Sequence, residues 1–357
     1  MKKILSLLCL AICLQCIPFQ QTFAQKNPKN VIFLIGDGMG IGQLYAGMVA
    51  NGNKLNLERC TYSGFSKTYS ANNFTTDSGA GATALACGVK TNNGMIGMNS
   101  DSVAVQSILE LASQNKLATA IVVACAVTHA TPASFIAHQV NRNMYEEIAS
   151  DYLKTDIDVF IGGGRKYFED RTDGRDLTAE LKEKNYQIAY KLDDVESIKS
   201  GKLVGLLYDD QNPNMPERGN MLPKATEAAI DILHNNTKGF FLLVEGSQID
   251  WAGHDNNSPQ VIREMLDFDE TIGKALDFAK KDGNTLVIIT ADHETGGMVI
   301  LDGKFGSDQL KTVFTTKGHS GVPVPVFTYG PGAENFGGFM ENISFKPKLE
   351  KLLKLKK

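Results

Sequence analysis

Val31-Ile32-Phe33-Leu34-Ile35, followed at once by Gly36-Asp37-Gly38-Met39-Gly40, is the stretch that decides the fold. Its apolar residues run on without polar alternation, so both faces of the strand they form are buried, the mark of a mainly parallel sheet covered by helices. The same kind of run recurs at Ala120 to Val127, Val159 to Ile161, Phe240 to Val244, Leu286 to Ile289 and Val324 to Tyr329. Helical stretches alternate with these runs: Val103 to Asn115, Lys224 to His234 and Ser258 to Lys281. The fold class is therefore α/β, a three-layer α/β/α arrangement around a large, mainly parallel central sheet.

Such sheets bind ligands beyond the carboxyl ends of their strands, and polar clusters follow the runs one after another. The first run delivers Asp37, and Ala120 to Val127 delivers Thr128-His129-Ala130-Thr131-Pro132. Phe240 to Val244 delivers Glu245 through Asp250-Trp251 to His254, and Leu286 to Ile289 delivers Asp292-His293-Glu294. Gly318-His319 instead precedes the last of the runs. Imidazole and carboxylate are zinc ligands, while carboxylate and hydroxyl oxygens suit magnesium. Thr76-Asp77-Ser78-Gly79-Ala80-Gly81-Ala82-Thr83 adds a nucleophile. Its small residues let the chain turn tightly into an Ala-rich helix, whose N-terminus offers N–H groups to an anion, and they equally allow close helix packing. A serine is a poor nucleophile at neutral pH unless activated, for instance by a metal ion. The combination points to metal-dependent phosphoryl transfer.

Lys2 and Lys3, the apolar run from Ile4 to Ile17 and Thr22-Phe23-Ala24 have the three regions of a signal peptide. Residues 1–24 are thus expected to be removed on export to the periplasm or the exterior, leaving 25–357 as a single domain. A membrane anchor and, through Cys13 or Cys16, a lipoprotein are the alternatives. Loss of Lys2 and Lys3 moves the formal charge from -4 to -6, and no basic patch indicates nucleic acid. Cys60, Cys87 and Cys125 remain, an odd number without metal-ligand spacing. Cys87 and Cys125 read as small buried residues, and a single bridge among the three is left open. The polar stretch from Glu169 to Asn220 is expected at the periphery, with Asp193-Asp194 and Asp209-Asp210 on a solvated surface. The basic C-terminal segment is expected to pack Leu349, Leu352 and Leu353 on the domain.

The Asp37 turn, Asp77-Ser78, His129-Ala130-Thr131-Pro132-Ala133 with Asn141-Arg142, Glu245 to His254, Asp292-His293-Glu294-Thr295-Gly296-Gly297 and Gly318-His319 together resemble the alkaline phosphatase family. The resemblance runs through nearly all of the chain beyond residue 24. It implies one zinc held by Asp250, His254 and His319, and a second held by Asp37, Asp292 and His293 that also binds Ser78. It implies a third ion, usually magnesium, on Asp37, Thr131 and Glu245, with His129 reaching it through water. Arg142 matches the phosphate clamp, and Asp77 the neighbour that holds it. The positions read here as His129 and Trp251 vary within the family, some members carrying Asp and Lys, so the third site and the phosphate surroundings differ from theirs.

The implied reaction is hydrolysis of small-molecule phosphate monoesters in two displacements, Ser78 first becoming a phosphoserine that water then hydrolyses. Arg142, which can grip two phosphate oxygens, suits a dianionic monoester. A related phosphodiesterase or phosphonate hydrolase on the same scaffold is the alternative. A non-catalytic metal-binding surface protein is the rival from another class. A homodimer is implied by the resemblance alone, and the short interval between His293 and His319 leaves little room for the large insertion that forms a crown-like subdomain in some relatives. His138 and His234 match no family role and read as ordinary structural or surface residues.

Overall fold

The computed structural model describes residues 27–356, so the expected signal segment lies outside the described residues. The strands are β1 (Asn30–Gly36), β2 (Tyr62–Lys67), β3 (Ala118–Ala126), β4 (Val159–Gly163), β5 (Tyr186–Ala189), β6 (Lys202–Leu206), β7 (Phe240–Gly246), β8 (Thr285–Thr290), β9 (Glu294–Thr295), β10 (Met298–Asp302), β11 (Lys311–Phe314), β12 (His319–Ser320), β13 (Val324–Tyr329) and β14 (Gly338–Glu341). Ten of them form one sheet in the order β14-β2-β13-β8-β1-β7-β3-β4-β6-β5. Every neighbouring pair is parallel except the two made by β13.

Side chains alternate across a strand, and in β1 both sets are buried. Val31, Phe33 and Ile35 join a core with Leu85, Ile108 and Leu349, on helices α1 (Ser78–Cys87), α2 (Ile108–Gln114) and α6 (Phe345–Leu353). Ile32 and Leu34 face the opposite layer with Leu222, Phe268 and Ile272, on α3 (Met221–Leu233) and α5 (Ser258–Asp282). The expected three-layer α/β/α architecture is the one observed. Leu349 and Leu352 are buried, with Leu353 packed beside them, as the C-terminal segment predicts. None of the helices in the described residues is long and apolar enough to cross a membrane.

Three differences from the sequence expectations have local causes. The helix expected from Val103 starts at Ile108, because Ser107 and Glu110 form a reciprocal cap: Ser107 Oγ accepts from Glu110 N at 3.1 Å and Glu110 Oε2 from Ser107 N at 2.7 Å. Val127 falls outside β3, whose pairing with β4 shifts register between Val122 and Ala126. Val324–Tyr329 is not the final strand, since β14 follows it at the sheet edge. The peripheral stretch supplies β5 and β6 at the other edge, and Asp209 and Asp210 pair there with Arg165 and Lys166. Cys60, Cys87 and Cys125 are all free, the latter two buried.

Candidate metal centre

The antiparallel course of β13 explains how a residue lying before a strand reaches the same edge as residues lying after one. The amino end of β13 sits at the carboxyl ends of its antiparallel neighbours β2 and β8, and β12 there pairs with β9, placing His319 opposite Thr295. Asp37 follows β1, Glu245 is the penultimate residue of β7 and Asp292-His293 follows β8. Helix α4 (Gln248–His254) carries Asp250 and His254 one turn apart and so on one face. Gly38, with φ +70°, lets the Asp37 turn pass Asp250; a Cβ there would lie 2.7 Å from Thr295 Oγ1. Gly81 brings α1 close to Asp292, whose carbonyl oxygen would lie 3.0 Å from an added Cβ.

Two groups of donor atoms result. In the first, His254 Nε2 and His319 Nε2 are 3.1 Å apart, and Asp250 Oδ1 lies 3.4 and 3.5 Å from them. The Nδ1 of His254 meets the carbonyl oxygen of Lys317 at 2.5 Å, and the Nδ1 of His319 that of Thr76 at 2.8 Å. A carbonyl oxygen only accepts, so each Nδ1 carries the proton and, in neutral rings, both Nε2 atoms present bare lone pairs. In the second group, His293 Nε2 lies 3.3 Å from Asp37 Oδ1, 3.3 Å from Asp292 Oδ2 and 3.2 Å from Ser78 Oγ. Thr295 Oγ1 donates to Asp250 Oδ1, leaving its lone pair to accept from His293 Nδ1 at 3.2 Å. The Nε2 of His293 is therefore bare as well. The stacked rings of His293 and His319, 3.6 Å between centroids, join the two groups.

Lone pairs converging without protons are repulsive unless a cation sits among them. Asp37 Oδ1, Asp292 Oδ2 and Glu245 Oε1 are buried with no hydrogen-bond partner, whereas the large majority of buried polar atoms in folded proteins are paired. Burial, then repulsion from neighbouring carboxylates, holds Asp37 and Asp292 well above the usual carboxylate range. Burial pushes Glu245 up to about 7 against hydrogen bonds from Ser247, Cys125 and Thr131. Burial, followed by the charges of neighbouring groups, keeps His293 far below its ordinary range and thus neutral. The donor set fits two nitrogen-and-oxygen sites of the kind zinc takes, and beside them an oxygen-rich position where Thr131 Oγ1 lies 3.4 Å from Asp37 Oδ2.

Ser78 is the first residue of α1, and Asp77 caps that helix by accepting from Ala80 N at 2.9 Å. The other Asp77 oxygen accepts from Arg142 Nη1 at 3.1 Å and Gly94 N at 3.0 Å. Gly94 O in turn accepts from Arg142 N at 2.7 Å, so the arginine is fixed at backbone and side chain. His129 stands before the short helix Ala130–Ala133, which carries Thr131, with Trp251 edge-on to its ring at 5.8 Å. Burial, with Arg142 adding to it, pushes His129 down to about 3. All thirteen residues anticipated at the site lie along this one edge of the sheet. Thr295, which fixes the His293 tautomer, is the functional residue that sequence reasoning misses; its signal is only its position two residues after His293. His138 is structural, bonded to Gly97 O at 2.6 Å and Glu110 Oε1 at 2.9 Å, and exposed His234 rests edge-on against Phe278.

A fold of this class with such a centre agrees with the comparisons to known proteins. The profile of the alkaline phosphatase family matches residues 28–313. Alkaline phosphatase 4 of Bacillus subtilis is 34% identical over 94% of this chain and 92% of its own. The alkaline phosphatase of Escherichia coli is 30% identical over 92% and 86%. The structure of alkaline phosphatase from the Antarctic bacterium TAB5 superposes with a TM-score of 0.88 at 43% identity, covering 93% of this chain and all of that one. Variants of the TAB5 enzyme with one histidine replaced by Glu or Asp have magnesium bound in their M3 site. The chain belongs to the alkaline phosphatase family. It is accordingly an enzyme, a phosphoric monoester hydrolase.

Proposed function

We propose that this is an exported alkaline phosphatase, a single domain over residues 25–357 after loss of residues 1–24, that hydrolyses phosphate monoesters through a phosphoserine at Ser78. Asp250, His254 and His319 would hold one zinc, and Asp37, Asp292 and His293 a second beside Ser78. Asp37, Thr131 and Glu245 would hold the third ion, which is magnesium in the TAB5 variants. Bound there, the ions supply Lewis-acid stabilisation of the charge on the attacking and leaving oxygens. A homodimer is proposed from kinship with the family alone.

The chain's own groups do the rest. Ser78 Oγ bonds to phosphorus as the ester P–O bond breaks, its proton passing to solvent and the alcohol leaving protonated. Water then attacks the phosphoserine, releasing phosphate and restoring the hydroxyl. Arg142, held by Asp77 and Gly94, faces the non-bridging oxygens with its remaining N–H groups, and the first N–H groups of α1 add a preorganised positive end. The observation that carries this reading is a buried hydroxyl at a helix N-terminus 3.2 Å from the bare nitrogen of His293, next to the Asp77–Arg142 pair. Brief incubation with substrate followed by acid quench should leave phosphate on Ser78. Ser78→Ala should lose the label and about a thousandfold or more of turnover. Label on another residue, with Ser78 unmodified, would overturn the mechanism while leaving the metal sites standing.

A further inference from the structure

Cys125 is a buried thiol beside the site that the proposed mechanism does not use. It lies on β3 two residues beyond Val123, which pairs in register with Glu245 on β7. Its Sγ is 3.3 Å from Glu245 Oε2 and 3.3 Å from the carbonyl oxygen of Ala126, and Ser247 shares the same Glu245 oxygen at 2.7 Å. Cys125 Sγ, a ring nitrogen of His129 and a carboxylate oxygen of Glu245 all lie within 4.8 Å of one another. Donors on a four-coordinate zinc-like ion, with bonds of about 2.0–2.3 Å, stand about 3.5 Å apart, so small side-chain adjustments would bring these three onto one ion. Two further atoms mark the place independently: His129 Nδ1 and Glu245 Oε1 are buried with no hydrogen-bond partner.

Thr131 and Asp37 offer this position only oxygens. Cys125 and His129, within reach of the same Glu245 carboxylate, add a thiol and an imidazole, which suit a borderline-soft ion far better than magnesium. We propose that Cys125 and His129 join Glu245 in binding the third ion, so that this position takes a zinc-class ion through a thiolate ligand in preference to magnesium. The inference rests on the reading that an ion sits at Glu245 and changes only its identity and ligands. As the sulfur–metal bond forms the thiol proton leaves to solvent; without an ion it is donated to Glu245 Oε2.

The test strips the exported protein, residues 25–357, of metal and reloads it with cobalt(II) in excess magnesium, reading metal content and the thiolate-to-cobalt charge-transfer band in the near ultraviolet. The other expected ligands are nitrogen and oxygen, so only a cysteine can produce that band. Three cobalt ions per chain with the band are expected in the wild type and in a Cys60→Ser, Cys87→Ser double variant. Cys125→Ser should lose the band while keeping two cobalt ions. Three cobalt ions without the band, two cobalt ions with one magnesium, or a band that survives Cys125→Ser would each overturn the inference and leave the phosphatase reading intact. Should Cys125→Ser fail to fold, the wild type and the double variant still decide between these outcomes. Failure to bind any divalent ion would overturn both.

Discussion

The protein buries acidic side chains in two places and treats them in opposite ways. On the α3 and α5 side, Glu264 and Asp267 are almost wholly buried, and Arg218 bridges them at 2.5 and 2.8 Å. The remaining Glu264 oxygen accepts from Met215 N and Gln260 Nε2, so both Glu264 oxygens are met by groups the chain itself supplies. At the carboxyl edge of the sheet Asp37, Asp292, Asp250 and Glu245 are just as buried, yet the guanidinium in the neighbourhood, Arg142, is bonded to Asp77. The imidazoles among these acids are aimed with their bare nitrogens inward. A buried carboxylate is tolerated only when paired. The contrast teaches that the first cluster is finished by the fold, whereas the second is built for cations that come from outside.

The largest effect that would sharpen this contrast belongs to the finished cluster. Arg218→Met leaves two buried acids unpaired and should lower folding stability by about 3–5 kcal/mol, read by denaturant unfolding, without changing turnover per folded, metal-loaded molecule. A loss of turnover in that folded fraction would break the separation between the two clusters. A smaller effect is expected at Arg142, whose loss removes charge-assisted hydrogen bonds to substrate rather than a buried ion pair. Arg142→Ala should depress kcat/KM for monoesters by roughly 2 kcal/mol, and for diesters, which have one of those oxygens capped, by distinctly less. Equal losses at matched zinc content would mean that Arg142 supports the fold or the metals instead of the phosphate.

The smallest effect concerns Thr295, which sits between Asp250 and His293. Thr295→Val keeps the shape but frees the His293 tautomer, and should weaken metal binding by about tenfold, at the low end for groups that orient ligands. Equilibrium competition with a coloured chelator reads this directly, and unchanged affinity would show that the tautomer is fixed by something else.

Sequence reading reached the sheet because continuous apolar runs such as Val31 to Ile35 report burial on both faces, and it reached the site because those runs end in ligand residues. What it missed was carried by contacts that no local pattern encodes. β2 shows alternating burial, β5 and β6 lie in a polar stretch, and the antiparallel course of β13 is a property of topology, although it is what brings His319 to the edge. The Ser107 to Glu110 cap was present in the sequence as a recognisable helix start; the helical pattern extended past it to Val103. The tautomers of His254 and His319 depend on the carbonyls of Lys317 and Thr76, which side-chain identity does not reveal.

The central claim is that the unfinished acid cluster is completed by bound cations, and its most direct test is the unfolding temperature of metal-stripped and metal-loaded protein as a function of pH. Without ions, Glu245 has its folded-state value raised from 4.5 to about 7, and Asp37 and Asp292 are raised in the same direction. The folded state then holds more protons than the unfolded one, so this contribution to stability is full below pH 4.5 and is lost as the pH rises to 7. Cations replace those protons in the loaded protein. The gap between loaded and stripped profiles should therefore widen from pH 4.5 to 7, in step with the return of activity when zinc and magnesium are restored. Superimposable profiles, with full activity in protein shown by elemental analysis to be metal-free, would contradict the account.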